Sequence, residues 1–191
     1  MSCEREFKTV DLIVRSDAET RGVDAFALAL IKAERQMRRL VTHLIYQFSC
    51  FGLNDVGPLR DALANNRRVY FEGFERGFNA LYPLAVRDLV GPDYDRLRPR
   101  LDEAIDHRNK LFHGQLTSKW LSREDLLQFV EDIRSWCEAL ATGANTKVGY
   151  DGFARDSFQK SAVADLSTRF KVKLANVQDY ASFVQAYMQR R

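Results

Sequence analysis

From Asp24 onward, apolar residues return at steps of three and four. Phe26, Leu30, Ala33, Met37, Leu40, Val41, Leu44, Ile45 and Phe48 trace one side of a long helix, the spacing an amphipathic α-helix requires. Asp24 is placed to cap it and Gly52 to stop it. The opposite side carries Lys32, Arg35, Arg38 and Arg39. A second helical run follows Pro58 and continues through Phe71, Phe74, Phe78 and Leu81; Pro83 kinks or ends it, and Gly91-Pro92 closes it. Gly73 and Gly77 share one side of this run. Each costs about 1 kcal/mol relative to alanine in a helix interior, so their presence predicts close approach of a neighbouring helix. A third helix is predicted from about Asp93 to Phe112, with a kink or restart at Pro99 and Gly114 as terminator. A fourth begins at Ser122, an N-cap followed by acidic residues, and its apolar line runs Leu126, Leu127, Phe129, Val130, Ile133, Trp136, Cys137 and Leu140.

The two ends are less regular. Residues 1–23 are mixed, and Thr9–Val14 reads as a short strand or an extended arm. Gly143–Gly149 reads as a linker. Residues 150–191 hold seven Lys/Arg against four Asp, an excess equal to the net charge of +3 of the whole chain. Asn176 is placed to cap a last helix with Val177, Tyr180, Val184, Tyr187 and Met188 on one face. The expected fold class is therefore all-α: an N-terminal arm over 1–23, an up-and-down helical bundle over 24–142, and a basic, helical C-terminal extension over 150–191.

Composition narrows the setting. A chain of 191 residues, 46% hydrophobic, can build one good core with a small appendage. Cys3, Cys50 and Cys137 are odd in number and widely spaced, which argues against a disulfide framework and for a reducing cytoplasm. Cys50 and Cys137 read as core residues. The start, Met-Ser-Cys-Glu-Arg-Glu, lacks a signal-peptide core, and no apolar run is long enough for a bilayer. A soluble cytoplasmic protein is expected. Its pI near 8.8 is compatible with an anionic partner. No nucleophile elbow or glycine-rich phosphate loop is present, and His43 falls within a packed amphipathic helix.

The segment that carries chemistry is Arg108-Asn109-Lys110-Leu111-Phe112-His113-Gly114. On a helical wheel, Leu97, Leu101, Ala104, Ile105, Leu111 and Phe112 form an apolar stripe, and Arg108 interrupts it. A guanidinium stays charged and is costly to bury unpaired, so it must meet a carboxylate, a backbone acceptor, water or an anionic ligand. Asp102, Asp106, Asn109 and His113 line a polar stripe beside it. Arg108 and His113 are about 140° apart round an ideal helix. One copy therefore does not aim both at one point; either the helix ends before His113 or a second copy completes the site. Such a pair suits phosphodiester chemistry. Histidine can take the proton from a 2′-hydroxyl, and arginine can hold the phosphate and its developing charge.

Arg108-Asn109 followed by His113-Gly114, late in a third main helix of a helical bundle, resembles the motif of the HEPN superfamily (higher eukaryotes and prokaryotes nucleotide-binding domains). The resemblance covers about 24–142. It implies a homodimer whose two motifs line one cleft. It also implies metal-independent cleavage of RNA to 2′,3′-cyclic phosphate and 5′-hydroxyl ends, with no cofactor, in a toxin or anti-phage defence effector. In that scheme Arg108 stabilises the scissile phosphate, His113 is the general base or acid, and Asn109 positions one or the other. Asp106 supports Arg108, while Lys110, His107, Arg35 and Arg39 make weaker RNA contacts. A cognate antitoxin is a possible partner.

Other readings of these residues stand beside that one. Arg108 can be a structural ion pair with Asp102, Asp106 or another helix, and His113 a histidine favoured by the helix C-terminus. His107 points to another face and reads as solvent or interface. His107 and His113 do not have a usual metal-ligand spacing, and no metal is expected. At the level of function, the rivals are a non-catalytic dimeric scaffold and a nucleotide-binding subunit working beside a nucleotidyltransferase-like partner.

Overall fold

A computed structural model describes residues 2–66, 69–112 and 121–189. The secondary structure of these residues is helical, with no strand among them; one isolated antiparallel bridge joins Val69 to Gln189. None of the described helices is long and apolar enough to cross a membrane. The chain forms two compact units, Met1–Ala33 with Val90–Leu140, and Glu34–Leu89 with Ala141–Arg191.

The first unit contains α1 (Ser2–Val14), the first half of α2 (Arg21–Tyr46), α6 (Tyr94–Phe112) and most of α7 (Arg123–Val148). Helix α1 replaces the expected strand or arm. Cys3, Phe7 and Val10 are buried at steps of four and three, so helical burial outweighs the β-branched run that suggested a strand. The core joins Phe26 of α2 to Phe129 of α7 (ring centroids 5.8 Å apart) and Tyr94 of α6 to Trp136 of α7 (5.7 Å). Ser122 caps α7 as expected: its Oγ accepts from Asp125 N at 3.1 Å, while the Asp125 carboxylate accepts from Ser122 N at 2.9 Å. Pro99 lies inside α6, which continues past it.

The second unit contains the second half of α2, α3 (Val56–Ala64), α4 (Phe71–Leu81), α5 (Val86–Val90) up to Leu89, the end of α7 and α8 (Val177–Phe183), which runs into a π-helical turn over Val184–Met188. The expected linker is helical. Gly143 is inside α7 because a Cβ there would lie 1.9 Å from the Leu89 carbonyl oxygen. Close backbone approach, not a break, requires this glycine. Gly73 and Gly77 serve the same purpose on α4, where the neighbour is the C-terminal turn: a Cβ at Gly73 would meet Met188 O at 2.1 Å, and one at Gly77 the Met188 side chain at 2.7 Å. Arg76 between them donates to Met188 O at 3.2 Å and Gln189 O at 3.0 Å. Asn176 caps α8, accepting from Asp179 N at 2.9 Å.

Residues beyond 150 are thus part of a core. Phe153, Tyr180, Phe183 and Met188 are buried, Phe158 packs edge-on to Tyr46 (5.5 Å), and Phe170 lies 5.0 Å from Phe48.

Candidate functional site

Helix α6 places the residues around the Arg–His segment. Its buried line begins with Leu97, Leu101 and Ala104, as expected, but ends on His107, which is 5% exposed. Arg108 is half-buried, Ile105 half-buried and Leu111 exposed. The wheel therefore put the arginine where the histidine belongs, and His107 faces neither solvent nor an outer surface. The cause is α7. Tyr94 meets Trp136 at the start of α6, whereas His107 meets Phe129 (5.5 Å) near its end. A packed neighbour follows ridges inclined to the helix axis, so the contact line drifts round the helix along its length.

A polar chain accompanies this drift. Asp132 of α7 accepts from Arg100 Nε at 2.9 Å. Arg100 also pairs with Glu103, and its guanidinium carbon lies 4.3 Å from the centre of the Phe129 ring. Glu103 Oε1 in turn stands 3.6 Å from His107 Nε2. Asp102, a candidate partner for Arg108, pairs with Arg98. Asp106 is exposed; two residues of helix separate it from Arg108 by about 200°.

Arg108, Asn109 and Lys110 share the last turn and a half of α6. Asn109 is exposed and Lys110 half-buried, while Arg108 Nε is sealed from solvent. His113 lies outside the described residues. Among the described residues, no group of three or more His, Cys, Asp or Glu is arranged to hold a metal ion.

Arg35 and Arg39 fall in the other unit, on the second half of α2. Arg35 is exposed. Arg39 is spent on structure: it donates to Phe153 O at 3.2 Å and to Arg155 O. Lys32, on the same helix, pairs with Glu6 at 3.4 Å. The basic side of α2 is therefore only partly a solvated face.

Arg39 belongs to a polar ladder absent from the sequence reading. Gln36 Nε2 donates to Asp151 O at 3.0 Å, His43 Nδ1 lies 3.2 Å from Ser157 O, and Gln47 Nε2 donates to Gln159 O at 3.1 Å. These side chains supply the hydrogen bonds that the irregular backbone over 151–159 cannot make to itself. The signal was present: polar residues at 36, 39, 43 and 47 follow helical spacing beside the apolar stripe. His43 is fully buried, and its pKa falls to about 4, chiefly through burial and secondarily through the Arg155 charge, against the raising effect of the Ser157 bond. Donation to Ser157 O assigns the proton to Nδ1. This histidine is a neutral packing group. Cys50, expected in the core, is exposed, with its thiol donating to Leu174 O at 3.2 Å.

Comparison of the chain with protein-family models, with curated proteins and with solved structures returns no match.

Proposed function

We propose that this protein is a metal-independent endoribonuclease of the HEPN type, an RNA-cleaving homodimer that serves as a toxin or defence effector. The observation that carries the reading is the C-terminal described part of α6 (Tyr94–Phe112), which bears Arg108, Asn109 and Lys110 in sequence; His113 follows in the sequence, outside the described residues. The HEPN-like bundle is part of the same proposal. Arg108 holds the scissile phosphate through its guanidinium nitrogens and offsets the charge that grows on the phosphoryl oxygens. His113 takes the 2′-hydroxyl proton or returns one to the leaving 5′-oxygen. Asn109 has the exposure needed to hydrogen-bond phosphate or imidazole. Lys110 adds a sequence-independent phosphate contact. His107 is removed from the RNA-contact set by its burial, and Arg39 by its carbonyl partners.

A second reading, a non-catalytic scaffold or nucleotide-binding subunit, draws support from Arg108 Nε, which is sealed as a packing group would be. RNA cleavage in EDTA separates the two. The expected result is cleavage by wild type to cyclic-phosphate ends, with Arg108→Ala and His113→Ala each slower by at least about 100-fold. A mixture of the two variants should regain part of the activity if protomers share a site. Equal products from wild type and both variants would overturn the ribonuclease.

A further inference from the structure

The buried line of α6 ends on a polar side chain. His107 is buried, and its ring lies 5.5 Å from that of Phe129 on α7. Its Nε2 faces Glu103 Oε1 at 3.6 Å, an electrostatic contact longer than a hydrogen bond. The carboxylate favours the proton on Nε2, which leaves Nδ1 as an acceptor. Nδ1 is sealed from solvent and meets no hydrogen-bond partner among the described residues. A leucine would fill the slot against Phe129 without an unmet nitrogen. A packing rule broken here points to a task besides packing.

Phe129 is held a second time by α6. The Arg100 guanidinium lies 4.3 Å from the ring centre, pairs with Glu103 and donates to Asp132 of α7 at 2.9 Å. Arg100 and His107 are seven residues apart, two turns along one side of the helix. With Glu103 between them, they hold one ring of α7 by contacts that have direction. Such contacts fix the rotation of α6 about its axis, and Arg108 is the next residue, about 100° further round. The positions three and four residues from Arg108 on α6 are Ala104, Ile105, Leu111 and Phe112, all apolar, so no polar neighbour along the helix sets its direction.

We propose that His107 is a positioning residue: with Glu103, Arg100 and Phe129 it locks the rotation of the last turns of α6, and so sets the direction in which Arg108 leaves the helix toward an RNA phosphate. The role in cleavage rests on the ribonuclease reading above; the rotational lock does not. An apolar side chain at 107 keeps the burial but has no directional partner, so the last turns lose their setting. A misplacement of about 1 Å in a group that orients substrate lowers a rate by roughly 100-fold.

The test compares the full-length wild type with His107→Leu, His107→Gln, Glu103→Ala and the His107→Leu/Glu103→Ala double variant. It reads Tm, RNA cleavage in EDTA and amide exchange over 108–112. His107→Leu should keep or raise Tm, lower kcat by about 10-fold or more with KM little changed, and speed the exchange. His107→Gln, which keeps a polar group for Glu103, should retain most of kcat. The double variant should lose no more kcat than His107→Leu, because both changes break one contact. Wild-type kcat in His107→Leu, an equal loss in His107→Gln, or a loss only in step with a falling Tm would overturn the proposal. If wild type cleaves no RNA, the ribonuclease reading fails and exchange decides the lock. Faster exchange in His107→Leu but not in His107→Gln upholds it, and any other pattern overturns it.

Discussion

Burial turns His43 from a titrating base into a silent one, and the linkage has a definite sign. Its pKa is about 4 in the folded chain against an ordinary 6.5, so between those values the unfolded chain binds the proton and the folded chain does not. Stability contributed here is present above pH 6.5, declines as pH falls toward 4, and changes no further below it. The loss amounts to about 3 kcal/mol across that window. Urea unfolding of wild type and His43→Gln at about pH 7 and about pH 5 should show the smaller acid loss in the variant; parallel losses would refute the assignment. The wheel placed Leu97, Leu101 and Ala104 correctly but exchanged His107 and Arg108, because it assumes a straight line of contact. Only knowledge of where Phe129 sits could correct it, and Phe129 is on another helix. His113, the other half of the candidate pair, lies outside the described residues.

Among the elements, α2, α4, α6 and α7 were legible because each repeats apolar residues over several turns. Helix α1 was not: its β-branched run obscured a short Cys3–Phe7–Val10 line. The α4 contact makes a graded prediction. Alanine normally gains about 1 kcal/mol over glycine inside a helix. At Gly73 the added methyl meets a backbone oxygen, which cannot rotate away, so Gly73→Ala should destabilise by about 3 kcal/mol or more. At Gly77 it meets the flexible Met188 side chain, so the cost should be smaller. Met188→Ala should relieve the clash at Gly77 but not at Gly73; denaturant midpoints of the three single and two double variants decide this. The end of α2 offers another test. Lys160 Nζ donates to Phe48 O at 2.9 Å and Phe51 O at 3.0 Å, and also to Tyr46 O, closing carbonyls that a helix end leaves open. Lys160→Met should cost about 2 kcal/mol in thermal or urea unfolding, and an unchanged midpoint would show those carbonyls well served by water.

At the scale of the whole molecule, the helical class was readable from periodicity, but the grouping into units was not. Periodicity reports which side of a helix is buried and says nothing about which distant segment buries it. The tail therefore looked like an appendage, although its aromatics and carbonyls complete the unit begun at Glu34. Removal of 150–191 should abolish cooperative unfolding of that unit, read by circular dichroism melts; a truncated chain that keeps the full transition would make the tail dispensable. The ladder on α2 also has a consequence for synthesis. Gln36 and Asp151 are 115 residues apart in the chain, so a ribosome adding roughly 5–20 residues per second leaves the polar side of α2 unserved for several seconds or longer. During that interval the nascent helix offers amide and guanidinium donors, which any passing backbone can occupy. The order in which this protein is made thus requires an early helix to wait for a late segment.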